Sequence, residues 1–177
     1  MTDKKTTIPW ADEDVWSQAV LSITKTISVI SADCSLRLEV EAMQILVQHI
    51  VEGYAETEAV LERVCIASCT TCTDVCCARA TVWYDERDLL VMYLNTGALP
   101  KSQIYRRPDG SCCNLTPSGC RFSRSDRPFI CTWYICPEQN TLLKDYLGGD
   151  DGLDIFHTIN GIKKARKDLE QVYIDLI

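Results

Sequence analysis

Nine of the chain's eleven cysteines fall between Cys69 and Cys136, and that density constrains the fold more than any other feature. Cys69, Cys72, Cys76 and Cys77 lie upstream, and Cys112, Cys113, Cys120, Cys131 and Cys136 answer them downstream. Thiols at this density hold zinc or an iron–sulfur cluster, or else they oxidise. A disulfide framework fits poorly, because the cysteine count is odd and the adjacent pairs Cys76–Cys77 and Cys112–Cys113 point their side chains apart. The polar stretch Met1–Thr7 carries no export signal, which predicts a cytoplasmic protein whose thiols stay reduced.

Spacing narrows the ligand set. The two-residue gap between Cys69 and Cys72 lets one turn present both sulfurs to one ion. Cys76 and Cys77 are adjacent with diverging Cβ vectors, so they bind different metals, or one binds and the other packs. Pro117, Ser118 and Gly119 predict a turn that returns Cys120 towards Cys113. Pro137 directly after Cys136 matches the end of a bacterial ferredoxin ligand run. The knuckle glycines of zinc ribbons are missing around Cys69 and Cys72, and both signs favour iron–sulfur chemistry over zinc. Cys34 and Cys65 read as small buried apolar residues, and His49 and His157 as surface or packed histidines.

At 177 residues the chain is expected to be a single domain, 1–177. Residues 8–66 read as a helical hairpin, 67–137 as the cysteine-bearing metal-binding segment and 138–177 as a C-terminal helical region. The acidic group Asp12, Glu13 and Asp14 starts a first helix, whose apolar face is Trp16, Ala19, Val20, Ile23, Ile27 and Ile30. A second helix carries a seam of Leu36, Val40, Met43, Val47, Ile50, Tyr54, Thr57, Leu61 and Val64. An antiparallel hairpin with the first helix is the expected partner and a dimeric coiled coil the competing one, with Gly53 and Thr57 weakening the seam. The last helix starts after Gly148, Gly149, Asp150, Asp151 and Asp154, and Lys163, Lys164, Arg166 and Lys167 read as its solvated face. The fold class is therefore mainly α: a long helical hairpin plus a C-terminal helix around an irregular cysteine-rich segment with at most a short β-hairpin.

The formal charge of −7 argues against nucleic acid, and no apolar run reaches the length of a membrane span. No nucleophile elbow, phosphate-binding glycine loop or zinc-protease helix is present, so no catalytic residue is assigned and a non-enzymatic role is expected. Arg127, before Pro128, either offsets thiolate charge from outside the ligand shell or caps a turn. Trp83, Tyr84, Trp133 and Tyr134 read as a packed wall around the site.

The run Cys69-Thr-Thr-Cys72-Thr-Asp-Val-Cys76-Cys77 resembles the signature of the YkgJ-like cysteine-cluster family, a zinc- or iron-chelating domain. The second half is similar too: Cys113 and Leu115, then Gly119-Cys120, then Arg127-Pro128 leading to Cys131. The gap between Cys72 and Cys76 is three residues, where that family usually has two. The resemblance covers residues 67–137 and implies metal ligation by Cys69, Cys72, Cys76, Cys77, Cys113, Cys120 and Cys131, with Cys112 and Cys136 additional. It also implies a helix over Asp85–Leu94 after a short strand.

Cys136 joins the candidate ligands through its following proline. Two functions follow. One is a cluster protein with an iron–sulfur centre, such as 4Fe-4S, used for electron transfer or as part of a modifying enzyme. The other is a zinc-stapled module whose acidic helices bind a protein partner. Both one and two metal sites fit, and the oligomeric state stays open.

Overall fold

A computed structural model describes residues 8–69, 72, 76–117, 119–147 and 151–177. The expected turn residue Ser118, the helix-start residues 148–150 and the spacers 70–71 and 73–75 of the upstream cysteine run lie outside the described residues. Helices dominate, joined by one two-stranded antiparallel sheet.

Helix α1 (Glu13–Ala32) is capped by Asp12, whose carboxylate accepts from the N–H groups of Asp14 at 2.9 Å and Val15 at 3.3 Å. Its buried face is Trp16, Ile23, Ile27 and Ile30. A 3-10 turn, Cys34–Leu36, then leads into α2 (Arg37–Cys69). The expected antiparallel hairpin does not form, because the chain turns through 86° between the two helices. Asp33 sets this corner with an extended backbone, and its carboxylate accepts from the Ser35 N–H at 2.8 Å, restarting the chain in a new direction. Cys34 is exposed there rather than buried.

The predicted seam of α2 is buried from Met43 to Val64, but its partner is the C-terminal helix α7 (Asp151–Asp175). Ile155, Ile159, Ile162, Ala165, Leu169 and Tyr173 fill the facing stripe. Gly53, expected to weaken the seam, is where the two helices approach. A Cβ there would lie 2.7 Å from Ile162 Cγ1. Thr57 is also buried without penalty, because its hydroxyl donates to the Gly53 carbonyl at 2.9 Å. Taken singly, none of the described helices is long and apolar enough to cross a membrane.

Helix α3 (Cys76–Arg79) is a single turn, and α4 (Glu86–Thr96) follows with no strand before it. A capping box starts α4: Asp85 accepts from the Asp88 N–H at 2.8 Å and Asp88 from the Asp85 N–H at 3.0 Å. Arg166 joins this box from α7. Sequence periodicity puts Arg166 on a solvated face, yet its side chain is 3% exposed and bridges Asp85 at 2.9 Å and Asp88 at 2.8 Å. Its guanidinium also lies 4.6 Å from the Phe129 ring centroid, and Asp88 accepts from the Phe129 N–H at 3.0 Å. The buried ion pair thereby holds the chain immediately before Cys131.

Two outcomes are expected from this packing. Gly53→Val drives a β-branched side chain into Ile162 and lowers stability by about 2 kcal/mol in denaturant unfolding. Arg166→Leu leaves two carboxylates without their cation and costs about 3–5 kcal/mol at pH 7. Burial pushes the Asp88 carboxyl up to about 6 while Arg166 pulls it down, so the variant's Asp88 rises further. A raised folded-state value means the folded protein binds the proton more readily, and stability falls as pH rises. Unfolding curves should therefore show a smaller loss for Arg166→Leu at pH 5 than at pH 7.

Candidate metal centre

The irregular middle of the chain has little secondary structure of its own, so hydrogen bonds fix where its cysteines stand. Cys77 on α3 is tied to the downstream half through its carbonyl, which accepts from the Cys112 N–H at 2.8 Å. Arg106 reinforces that join, donating to the carbonyls of Ala78, Ala80 and Gly110. Gly110, with φ of 84°, turns the loop back so that Arg106 and Cys112 pair as an isolated antiparallel bridge. Arg107 continues the clamp by donating to the Cys113 and Leu115 carbonyls at 2.8 and 2.9 Å.

Strands β1 (Leu115–Thr116) and β2 (Gly119–Cys120) then form the short hairpin, with Leu115 opposite Cys120 and Thr116 opposite Gly119. The turn returns Cys120 to the Cys112–Cys113 region, as its residues predict. A second 3-10 turn, Arg124–Asp126, leads to helix α5 (Ile130–Trp133), which carries Cys131. Arg127 closes this turn, its N–H donating to the Arg124 carbonyl at 3.3 Å, and both arginines reach towards α2. Both meet Glu62 of α2, Arg127 at 2.8 Å and Arg124 at 3.4 Å, on the same carboxylate oxygen.

Four thiols from four separate pieces of chain thus share one neighbourhood: Cys77, Cys112, Cys120 and Cys131. Burial pushes Cys77 up to about 11, and the charges that Cys112, Cys120 and Cys76 would carry push it the same way. Cys131 is pushed up to about 12, again by burial first and then by Cys77, Cys120 and Cys112. Cys112 is raised by burial, with Cys113 and Cys120 adding to it. Arg127 opposes the rise at both Cys77 and Cys131. Its own hydrogen bonds go to the Phe122 carbonyl at 2.8 Å and to Glu62, so it offsets charge and braces a turn together. Cys113, counted among the expected ligands, is buried and interacts with Cys112, with its N–H donating to the Tyr105 carbonyl at 3.0 Å.

The remaining candidates gather elsewhere. Cys69 follows Cys65 by one turn of α2, and the two thiols influence each other's ionisation. Gln139, on α6 (Pro137–Leu147), donates to Cys65 at 3.4 Å and Cys69 at 3.5 Å. The backbone N–H of Gln139 also donates to Cys136 Sγ at 3.4 Å. Cys136 therefore sits at the start of α6, and Pro137 is that helix's first residue, a position proline favours because it lacks an N–H. Cys76 lies within electrostatic reach of both Cys69 and Cys77, so it stands between the two sets. Cys72 is half-buried. As placed, no three His, Cys, Asp or Glu side chains among the described residues form a ready ligand group.

Other expectations are corrected. Trp133 and Tyr134 are 37% and 51% exposed and do not wall the site, whereas Tyr84 is buried and donates to the Asp126 carbonyl at 2.7 Å. Cys65 is not an inert apolar filler: the buried Arg124 guanidinium donates to its sulfur at 3.3 Å. His49 and His157 are both exposed. Sequence reasoning missed Glu62, Arg124 and Gln139. The signal for the first was present, since Glu58, Glu62, Cys65 and Cys69 step by four, three and four along one face of α2.

Compared with protein-family models, with curated proteins and with solved structures, the chain matches none. The shared carboxylate gives a direct test of the geometry: Glu62→Gln leaves the buried Arg124 and the half-buried Arg127 without their shared anion. A loss of about 1–3 kcal/mol is expected in urea unfolding, larger than for substitution of an exposed carboxylate such as Glu41.

Proposed function

We propose that this chain is a cysteine-cluster metal protein in which Cys77, Cys112, Cys120 and Cys131 bind a thiophilic cation that holds the middle segment together. The observation that carries the reading is that these four thiols, from four chain segments, lie within electrostatic reach of one another, with Arg127 acting on Cys77 and Cys131. Four half-buried sulfurs so placed are a poor arrangement for four anions and a favourable one for a divalent cation, which replaces their protons and cancels their mutual repulsion. Arg127 offsets the excess negative charge that a tetrathiolate centre keeps. By its chemistry, four cysteine sulfurs, the donor set suits zinc.

The same donors fit an iron–sulfur cluster, but two observations weigh towards zinc. Pro137 has its own explanation as the first residue of α6, so its place after Cys136 no longer points to a ferredoxin-like run. The aromatic pair Trp133–Tyr134 lies at the surface and gives no shield against oxidants. Similarity of the cysteine runs to the YkgJ-like family supports metal chelation with either element. A zinc-stapled scaffold of this kind serves as a protein-interaction module, consistent with the net charge of −7 and the long acidic helices. A reducing compartment keeps its thiols available.

Structural zinc contributes about 10–16 kcal/mol in apparent binding, comparable to the ~5–15 kcal/mol net stability of a whole domain. Protein purified without oxygen should carry zinc and lack absorption near ~400 nm, where a cluster absorbs. Chelation should abolish amide protection over 112–131 while α2 and α7 keep theirs. Cys131→Ser should lose the metal held by the wild type. Iron and sulfide with a visible band assign the cluster instead, and unchanged protection after chelation refutes the metal centre.

A further inference from the structure

Helix α2 has two long faces, and α7 covers one of them. The covered face is the seam, whose residues Met43, Val47, Ile50, Tyr54, Thr57, Leu61 and Val64 recur with heptad spacing. The heptad position farthest from that seam falls on Leu38, Ile45, Glu52, Ala59 and Ile66. A helix with a single partner carries polar residues on that side. Here Leu38 is 74% exposed, Ile45 70% and Ile66 61%, and Glu52 and Ala59 are exposed with them. Scattered singly, exposed aliphatic side chains need no explanation. Aligned on one stripe about 42 Å long, opposite a filled seam, they mark an interface.

The residues that flank the stripe say what covers it. Glu41, Gln48 and Ala55 run along one side, and His49, Glu56 and Arg63 along the other, all of them exposed. When a second copy lies antiparallel across α2 with the two-fold axis at Glu52, each residue meets the one equally far beyond the axis. Leu38 then faces the partner's Ile66, and Ile45 faces the partner's Ala59. Glu41 faces the partner's Arg63, and Gln48 faces the partner's Glu56, each contact occurring twice by symmetry. Arg63 makes no ion pair among the described residues, and Glu41 holds Arg37 at 2.9 Å in an exposed pair that costs little to share. The stripe is thus complementary to itself in both apolar and charged residues, which is what an isologous interface requires. Glu52 is the exception. It meets its own copy on the axis, with the Gln48 amide donating to it at 2.8 Å, and this central like-charge contact keeps the association weak.

We propose that the outer face of α2 is a homodimer interface, with a second copy of the chain lying antiparallel across it about a two-fold axis at Glu52. No thiol takes part and α7 stays on the opposite side, so the inference is independent of the metal centre.

Sedimentation equilibrium on the full chain as purified tests it, over a roughly hundredfold range of concentration. Reducing conditions keep the exposed Cys34 from cross-linking copies. The wild type should show a monomer–dimer equilibrium. Ile45→Asp should weaken the dimer about tenfold or more, and Glu52→Leu should tighten it by a similar factor. Both positions are exposed, so the helical circular dichroism of the dilute monomer should match the wild type, which separates a lost interface from a lost fold. Arg63→Glu should weaken the dimer, and adding Glu41→Arg to it should restore the wild-type affinity by exchanging the two charges. A wild type that stays monomeric at every concentration overturns the proposal, as does a dimer indifferent to Ile45→Asp. Failure of the charge exchange to restore affinity overturns the antiparallel register.

Discussion

Two arginines, the buried Arg124 and the half-buried Arg127, share the Glu62 carboxylate, and the cysteine-bearing half of the chain is anchored to the helical half through that contact. Glu62 stands on α2, and the arginines come from the 3-10 turn Arg124–Asp126 and the residue that closes it, the Arg127 N–H donating to the Arg124 carbonyl at 3.3 Å. Each arginine then faces a different group of sulfurs, Arg124 towards Cys65 and Arg127 towards Cys77 and Cys131. Glu58 adds a second carboxylate to the contact, accepting from the Arg124 backbone N–H at 3.4 Å.

The helical frame is built so that this contact has somewhere to stand. Close approach of α2 and α7 at Gly53 lets Ile162 reach into the seam, and it brings Arg166 to the first turn of α4. Arg166 in turn holds Asp88, and Asp88 holds the backbone of Phe129. The position of Cys131 is therefore transmitted from the main helix pair through one ion pair and one backbone hydrogen bond. Segments as short as α3, α5 and the two-residue strands bury too little surface to order themselves. They borrow order from the frame, from the arginine clamps at Arg106 and Arg107, and in the proposed reading from a metal.

Much of the helical architecture is legible in the residue pattern. The seam from Met43 to Val64, the capped start of α1 and the short hairpin before Cys120 all follow from local rules of spacing and backbone geometry. The direction of the chain after Asp33 does not, because a helix seam announces an apolar partner without naming it, and α1 and α7 offered similar stripes. Arg166 was hidden for a related reason. It lies among three lysines in a run that reads as solvated, and only the approach of Asp85 and Asp88 from a distant helix makes burial of its charge favourable. Glu62 and Cys65 lay on a readable stripe of α2, but Arg124 and Gln139 carry no local mark of their role.

What the amino-acid order determined by itself was the set of helices, the faces they bury and the concentration of thiols in one segment. These depend on residues near one another in the chain, whose geometry is fixed by 3.6-residue periodicity, capping and turn chemistry. Tertiary structure alone decided which thiols share a neighbourhood: Cys77 with Cys112, Cys120 and Cys131, and Cys136 with Cys65 and Cys69 through Gln139. The reason is that sulfur groups form across contacts 35 or more residues apart in sequence, such as Cys77 with Cys112. Such contacts follow from how the whole chain closes, and no local spacing encodes them.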